Sequence, residues 1–172
     1  MIFVTIGPKG SGKSTFQHNV TKHLKKKGMR VQGIIAFHNY KHDSYSIYNL
    51  QTEEELLLSQ RVSASRQSEN PFHFDSKAVK EGEHWLYKIT EEQTDLAVID
   101  EIGIYELHGK VWYNAFSHLC KSTIPLFFST NKMWSEQVLK KWNMKPTHTF
   151  YPPDFHYPEE ASNKIQNALG II

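Results

Sequence analysis

This sequence predicts an α/β fold with a mainly parallel sheet, and three observations carry the prediction. Short β-branched or apolar runs alternate with amphipathic helical stretches along most of the chain. A glycine-rich turn, Gly7-Pro8-Lys9-Gly10-Ser11-Gly12, joins the first such run to the first helical stretch. A later run, Leu96-Ala97-Val98-Ile99, ends directly in two acids, Asp100 and Glu101.

Each element has a local reason. Residues 1–6 have the composition of a buried strand. From Lys13 to Lys27, Phe16, Val20 and Leu24 recur at helical spacing. The basic run Lys25-Lys26-Lys27 suits the negative end of the helix dipole, and Gly28 suits the left-handed stop. Residues 30–37 and 44–50 read as strands joined through the polar turn Lys41-His42-Asp43, so an antiparallel hairpin is expected within 30–60. Leu56-Leu57-Leu58 reads as a short strand and 59–71 as a polar loop. Asp75 or Ser76 caps a predicted helix reaching Ile89, with Ala78, Val79, Leu86 and Ile89 facing inward. Beyond the 96–99 strand come a helix over 109–121, a strand over 124–128 with Pro125 near its start, and a helix over 135–141. A short strand over 147–151 and a terminal helix beginning near Pro158 complete the series.

Length and composition bound the function. A chain of 172 residues with 39% hydrophobic residues supports one domain with a real core, over 1–172. Twenty Lys and Arg against 18 Asp and Glu leave a net charge of +2, which argues against a polyanion binder, so no nucleic-acid partner is expected. The single cysteine, Cys120, excludes an intrachain disulfide and a cysteine-built zinc site. No apolar run reaches the roughly 18 residues of a membrane span, and residues 1–6 lack the pattern of a secretion signal. A cytoplasmic protein without a membrane partner is expected.

Gly7-Pro8-Lys9-Gly10-Ser11-Gly12-Lys13-Ser14 fits G-x-x-x-x-G-K-[ST], followed by Thr15. A chance match in a chain of this length has a probability of about 1% or less. Glycines let successive N–H groups turn toward a polyphosphate, and the following helix adds positive partial charge beneath it. Residues Gly7 to Thr15 are therefore the expected binding loop for a nucleoside triphosphate such as ATP. Lys13 should reach the β- and γ-phosphates, and the Ser14 hydroxyl should ligate Mg²⁺. Asp100 ends a buried strand, where a carboxylate can hold the water shell of that Mg²⁺. Glu101 is the expected group that orients or deprotonates the attacking water. Lys13 and Glu101 are thus the catalytic candidates, and Ser14 and Asp100 the metal candidates.

Three segments together, Gly7 to Thr15, Val31-Gln32-Gly33-Ile34-Ile35 and Val98 to Leu107, resemble a known family. The most specific piece is Asp100-Glu101-Ile102-Gly103 followed by Glu106-Leu107. These segments look like the small P-loop nucleoside-triphosphatases typified by the thermophilic nucleotide phosphatase and its human cancer-related relative. The resemblance implies a three-layer fold of the RecA-like division, with one strand between the acidic strand and the phosphate-loop strand. It also implies slow, Mg²⁺-dependent hydrolysis of ATP, GTP and other triphosphates to diphosphate and phosphate, with broad base tolerance. Two departures stand out. Ser129-Thr130-Asn131-Lys132 replaces the Thr and His usual in the family, leaving Thr130 or Asn131 as the sensor. Arginines are few (Arg30, Arg61 and Arg66), and Arg61 is the best candidate for a transition-state cation.

Other readings compete. Asn131-Lys132-Met133-Trp134 begins like the guanine-reading N-K-x-D of regulatory GTPases, but Trp134 stands where the base-pairing carboxylate belongs. A nucleotide or small-molecule kinase shares the loop and the acid, yet three arginines are thin for a phosphate-clamping lid. A nucleotide-binding scaffold is the third alternative, and no protein-partner motif is legible. Ten histidines include no H-E-x-x-H, and the pairs His18/His23 and His38/His42 lack a third ligand at metal spacing. Cys120 reads as a buried inert thiol. Tyr40, Tyr45, Tyr48, Trp112, Tyr113, Trp134 and Trp142 read as core or base-stacking groups.

Overall fold

The computed structural model describes residues 1–61 and 72–171, with Arg61 and Phe72 described by their backbone alone. Its strands are β1 (Ile2–Gly7), β2 (Val31–Asn39), β3 (Ser44–Asn49), β4 (Glu55–Arg61), β5 (Phe72–Phe74), β6 (Leu96–Ile99), β7 (Leu126–Asn131) and β8 (His148–Phe150). Its helices are α1 (Lys13–Lys26), α2 (Ser76–Tyr87), α3 (Ile104–Leu107), α4 (Tyr113–Leu119), α5 (Ser135–Lys141) and α6 (Pro158–Leu169). The strands form one sheet in the order β5-β4-β3-β2-β6-β7-β1-β8.

Five strands, β2, β6, β7, β1 and β8, run parallel. The expected hairpin pairs β2 with β3 from Ile34↔Asn49 to Asn39↔Ser44. It continues through β4 and β5 as an antiparallel wing. The β7 strand separates β6 from β1, which is the RecA-like order that the resemblance implies.

Strand alternation builds two cores. On β6, Leu96 and Val98 enter one cluster while Ala97 and Ile99 enter the other; on β7, Phe127 opposes Leu126 and Phe128. One cluster holds Phe16, Val20 and Leu24 of α1 and Ala161 and Ile165 of α6. The other holds Ala78 and Leu86 of α2, Phe116 and Leu119 of α4 and Val138 of α5. Helices on both faces of one sheet make three layers. Burying each large apolar side chain contributes about 1.5–3 kcal/mol. Gly33 lies where β2 meets β6: a Cβ there would stand 1.9 Å from Val98 O.

The local signals act as expected where they are strong. Asp75 caps α2 by accepting from the N–H groups of Lys77 (2.9 Å) and Ala78 (2.8 Å). Gly28 takes a left-handed conformation after α1, and Pro158 opens α6. Four expectations change. Residues 59–61 extend β4 instead of beginning a loop, and β5 and α3 were not anticipated. The 109–121 helix is shortened to Tyr113–Leu119, because Gly109 and Val111 have left-handed φ angles of 74° and 52°. Strand β7 begins after Pro125 and runs on to Asn131. Val79 is only half-buried at the edge of its cluster.

Candidate active site

Parallel strands bring their C-terminal ends to one edge, and the predicted site residues meet there. Strand β1 leads through Gly7 into the loop, and Lys132 N–H donates to Gly7 O at 3.2 Å, tying the end of β7 to the loop's origin. Gly10 and Gly12 have φ angles of 76° and 89°, conformations that favour glycine. Pro8, Lys9, Gly10 and Thr15 are exposed, and Ser11 Oγ–H donates to Pro8 O at 2.8 Å. A Cβ on Gly7 would fall 2.5 Å from that same Ser11 Oγ, so a side chain there would push Ser11 Oγ off its present position against Pro8 O. Gly12 O accepts from Phe16 N–H at 2.9 Å and opens α1.

Lys13 is folded back beneath the loop. Its side chain is 2% exposed, and its Nζ donates to Pro8 O at 3.1 Å and lies 3.3 Å from Glu101 Oε1. Ser14, one residue on, lies near enough to the Asp100 carboxylate to favour its ionised form. Asp100 is buried at the end of β6. Its Oδ1 accepts from Ser129 Oγ–H, and its Oδ2 accepts from Ala36 N–H at 3.1 Å. Burial above all, and then the charge of Glu101, push its pKa up to about 6, against the bonds from Ser129 and Ala36 and the nearby Ser14 hydroxyl, which favour the anion.

The backbone turns sharply between the two acids. Glu101 has φ 59°, a left-handed conformation uncommon for a residue with a side chain. The turn sends Asp100 inward and Glu101 outward, where 45% of its side chain is exposed. Ser129 fixes this divergence, since its Oγ also accepts from Glu101 N–H at 2.9 Å.

A cavity of about 310 Å³ opens beside Glu101, Lys9 and Asn131, walled chiefly by Tyr45, Phe74, Trp112 and Trp134. Glu106 lines it too, and is almost fully buried. It accepts from Gly103 N–H at 2.9 Å and from Trp112 N–H at 3.3 Å, so it joins the loop after Glu101 to the start of α4. Burial pushes its pKa up to about 7.

Several candidates fall elsewhere. Thr130 continues the alternation of Leu126 and Phe128, on the face opposite Ser129, and its buried hydroxyl has no protein partner. Asn131 stays at the cavity, with its Oδ1 accepting from Met133 N–H at 3.0 Å. Arg30 pairs with Asp95 at 2.6 Å, at the opposite edge of the sheet. The Arg61 side chain, Arg66 and the rest of the expected loop over 62–71 lie outside the described residues. Burial pushes the Cys120 thiol up to about 12, an unreactive state. Among the described residues no cluster of three or more His, Cys, Asp or Glu can hold a metal, and no helix is long and apolar enough to cross a membrane.

Sequence reasoning missed Ser129 and Glu106. Ser129 gave no signal, because its role depends on β7 lying beside β6. Glu106 did give one: a carboxylate three residues after Gly103, at the third position of a helical turn, is half of a capping box.

A phosphate loop at the head of β1, facing a strand-end acid across one intervening strand, defines a P-loop nucleotide-binding protein. The sequence model described as NTPase matches residues 1–165, and the chain belongs to that NTPase family. It is 25% identical, over 81% of its length and 83% of the relative's, to the nucleoside-triphosphatase THEP1 of Methanocaldococcus jannaschii. Its fold is that of THEP1 from Aquifex aeolicus, with a TM-score of 0.74 at 16% identity, covering 98% of this chain and 99% of the other. It is also that of a human cancer-related nucleoside triphosphatase, with a TM-score of 0.70 at 18% identity and 97% of each chain covered.

Proposed function

We propose that this chain is a Mg²⁺-dependent nucleoside-triphosphatase of broad base tolerance, a single catalytic domain working in the cytoplasm. The observation that carries the reading is the ion pair across the loop, Lys13 Nζ to Glu101 Oε1 at 3.3 Å, with Ser14 beside the buried Asp100 carboxylate. Asp100 is buried and its described bonds come from neutral donors, so a cation beside Ser14 would relieve its charge. A hydroxyl and one carboxylate suit Mg²⁺, which takes its remaining ligands from phosphates and water. Bound there, Mg²⁺ would neutralise charge on the β- and γ-phosphate oxygens.

The chain's own residues then have distinct roles. Loop N–H groups and Lys13 bind the triphosphate and stabilise charge on the transferring phosphoryl. Glu101 orients a water and accepts its proton as the oxygen attacks the γ-phosphorus. The bond to the β–γ bridging oxygen breaks, giving diphosphate and inorganic phosphate. Ser129 holds both acids in register. Broad base tolerance fits the sequence Asn131-Lys132-Met133-Trp134, which lacks the fourth-position carboxylate of the guanine-reading N-K-x-D. The family match and the relatives named above give the kinase alternative no support.

The test is steady-state phosphate release from ATP, GTP, CTP and UTP, with Mg²⁺ or with EDTA, and no acceptor present. Release from all four, abolished by EDTA, is expected. Release only after a phosphoryl acceptor is added would overturn the reading.

A further inference from the structure

The triphosphate reading gives the phosphate loop a direction. Its terminal-phosphate end faces Asp100 and Glu101, which reach it from the β7–β6 side. The nucleoside end must leave over the other flank, where β8 is the parallel neighbour of β1. The register Thr5↔Phe150 makes Tyr151 leave the sheet level with Ile6, immediately before the loop.

The segment that follows is aromatic and held by its own bonds. Pro152–His156 forms a 3₁₀ turn. Asp154 Oδ2 accepts from Tyr151 N–H at 2.9 Å, Asp154 N–H donates to Tyr151 O at 2.8 Å, and Tyr157 N–H donates to Asp154 O at 2.9 Å. Phe155 stacks on Phe16 of α1 with ring centroids 4.7 Å apart and planes 22° apart. It also stands 3.4 Å from the position of a Cβ on Gly7, so the turn is clamped to the root of the phosphate loop. On either side of this clamp, Tyr151 and Tyr157 remain 50% and 58% exposed.

We propose, resting on the triphosphatase reading, that Tyr151 and Tyr157 form the platform on which the nucleobase stacks. Every base has a π-face, so stacking on aromatic rings tolerates any of them. The one carboxylate of the turn, Asp154, has its Oδ2 engaged in capping Tyr151 N–H. The two tyrosines contribute affinity for the nucleoside and leave the phosphate chemistry alone.

The experiment compares the wild type, the Tyr151→Ala/Tyr157→Ala double variant and a Tyr151→Phe/Tyr157→Phe control in phosphate release from ATP, GTP, CTP and UTP. Tripolyphosphate serves as a competitive inhibitor without a base. In the alanine variant KM should rise at least about fivefold for all four nucleotides, with kcat within about twofold and the tripolyphosphate inhibition constant unchanged. The phenylalanine control should restore KM. If the alanine variant melts below assay temperature, Tyr151→Ala and Tyr157→Ala taken singly carry the comparison. Nucleotide KM values within twofold of wild type, an equal loss of tripolyphosphate inhibition, or an effect on one base only would overturn the platform. Should the wild type itself hydrolyse none of the four, the triphosphatase reading fails first.

Discussion

Lys13 and Glu101 are ion-paired, Nζ to Oε1 at 3.3 Å, across the gap between the phosphate loop and the end of β6. The cation proposed to meet the phosphates and the carboxylate proposed to orient water therefore belong to one charge network. Replacing Glu101 with Gln should lower kcat by about 10²–10⁴-fold, the usual contribution of a general base. ATP affinity should fall less than threefold. Lys13→Ala should lose both affinity and turnover, and the double variant should be no slower than Lys13→Ala alone. Single-turnover phosphate release with calorimetric ATP titration checks this; normal turnover in Glu101→Gln removes that residue from the mechanism.

Ser129→Ala removes the donor to Asp100 Oδ1 and the acceptor of Glu101 N–H together. A lost buried hydrogen-bond partner costs about 1–3 kcal/mol of stability. Turnover should fall further than in a Ser129→Thr variant, which keeps a hydroxyl. Equal kcat in the two variants would show that the hydroxyl does not position the acids.

Glu106 supplies a pH dependence whose sign follows from its burial. Its folded pKa of about 7 lies above the ordinary carboxylate value, so the folded protein keeps a proton that the unfolded chain releases at lower pH. The resulting stability is complete below about pH 4 and is lost as pH rises through 7. Asp100, at about 6, contributes in the same direction but mostly at lower pH. The wild type should lose several degrees of Tm between pH 6 and pH 8, and Glu106→Gln should lose less. Parallel Tm–pH curves for the two proteins would refute the assignment.

Gly33→Ala tests the sheet itself. The added methyl would meet Val98 O at 1.9 Å and the backbone has φ 138°, so neither space nor conformation admits it. The loss should exceed about 4 kcal/mol, seen as a shift in the urea midpoint or as insoluble protein. Wild-type stability in this variant would mean that β2 does not approach β6 as described.

What was legible in the sequence depended on range. The phosphate loop and α1 were readable because glycine placement, the Phe16–Val20–Leu24 stripe and Gly28 are local signals. Asp100 and Glu101 stood out because an apolar strand ends on them. The β4 extension and β5 were hidden, since Ser59, Gln60 and His73 are polar and become strand only by pairing with neighbours. Ser129 was invisible for the same reason: its partners lie 28 and 29 residues away in sequence. The left-handed turn at Glu101, which separates the roles of the two acids, has no glycine to announce it.

The place of β1 in the sheet has a consequence for how the chain is made. Its two neighbours, β7 and β8, both come from the C-terminal part of the chain, and Ile2 pairs with Leu126. A ribosome adding about 5–20 residues per second needs roughly 6–25 s to deliver that partner. Until then the apolar β1 segment lacks its sheet neighbours, exposed to chaperones and to neighbouring nascent chains. Nucleotide capture is thus a late event in biogenesis, although the loop proposed to perform it is translated well before β7 and β8.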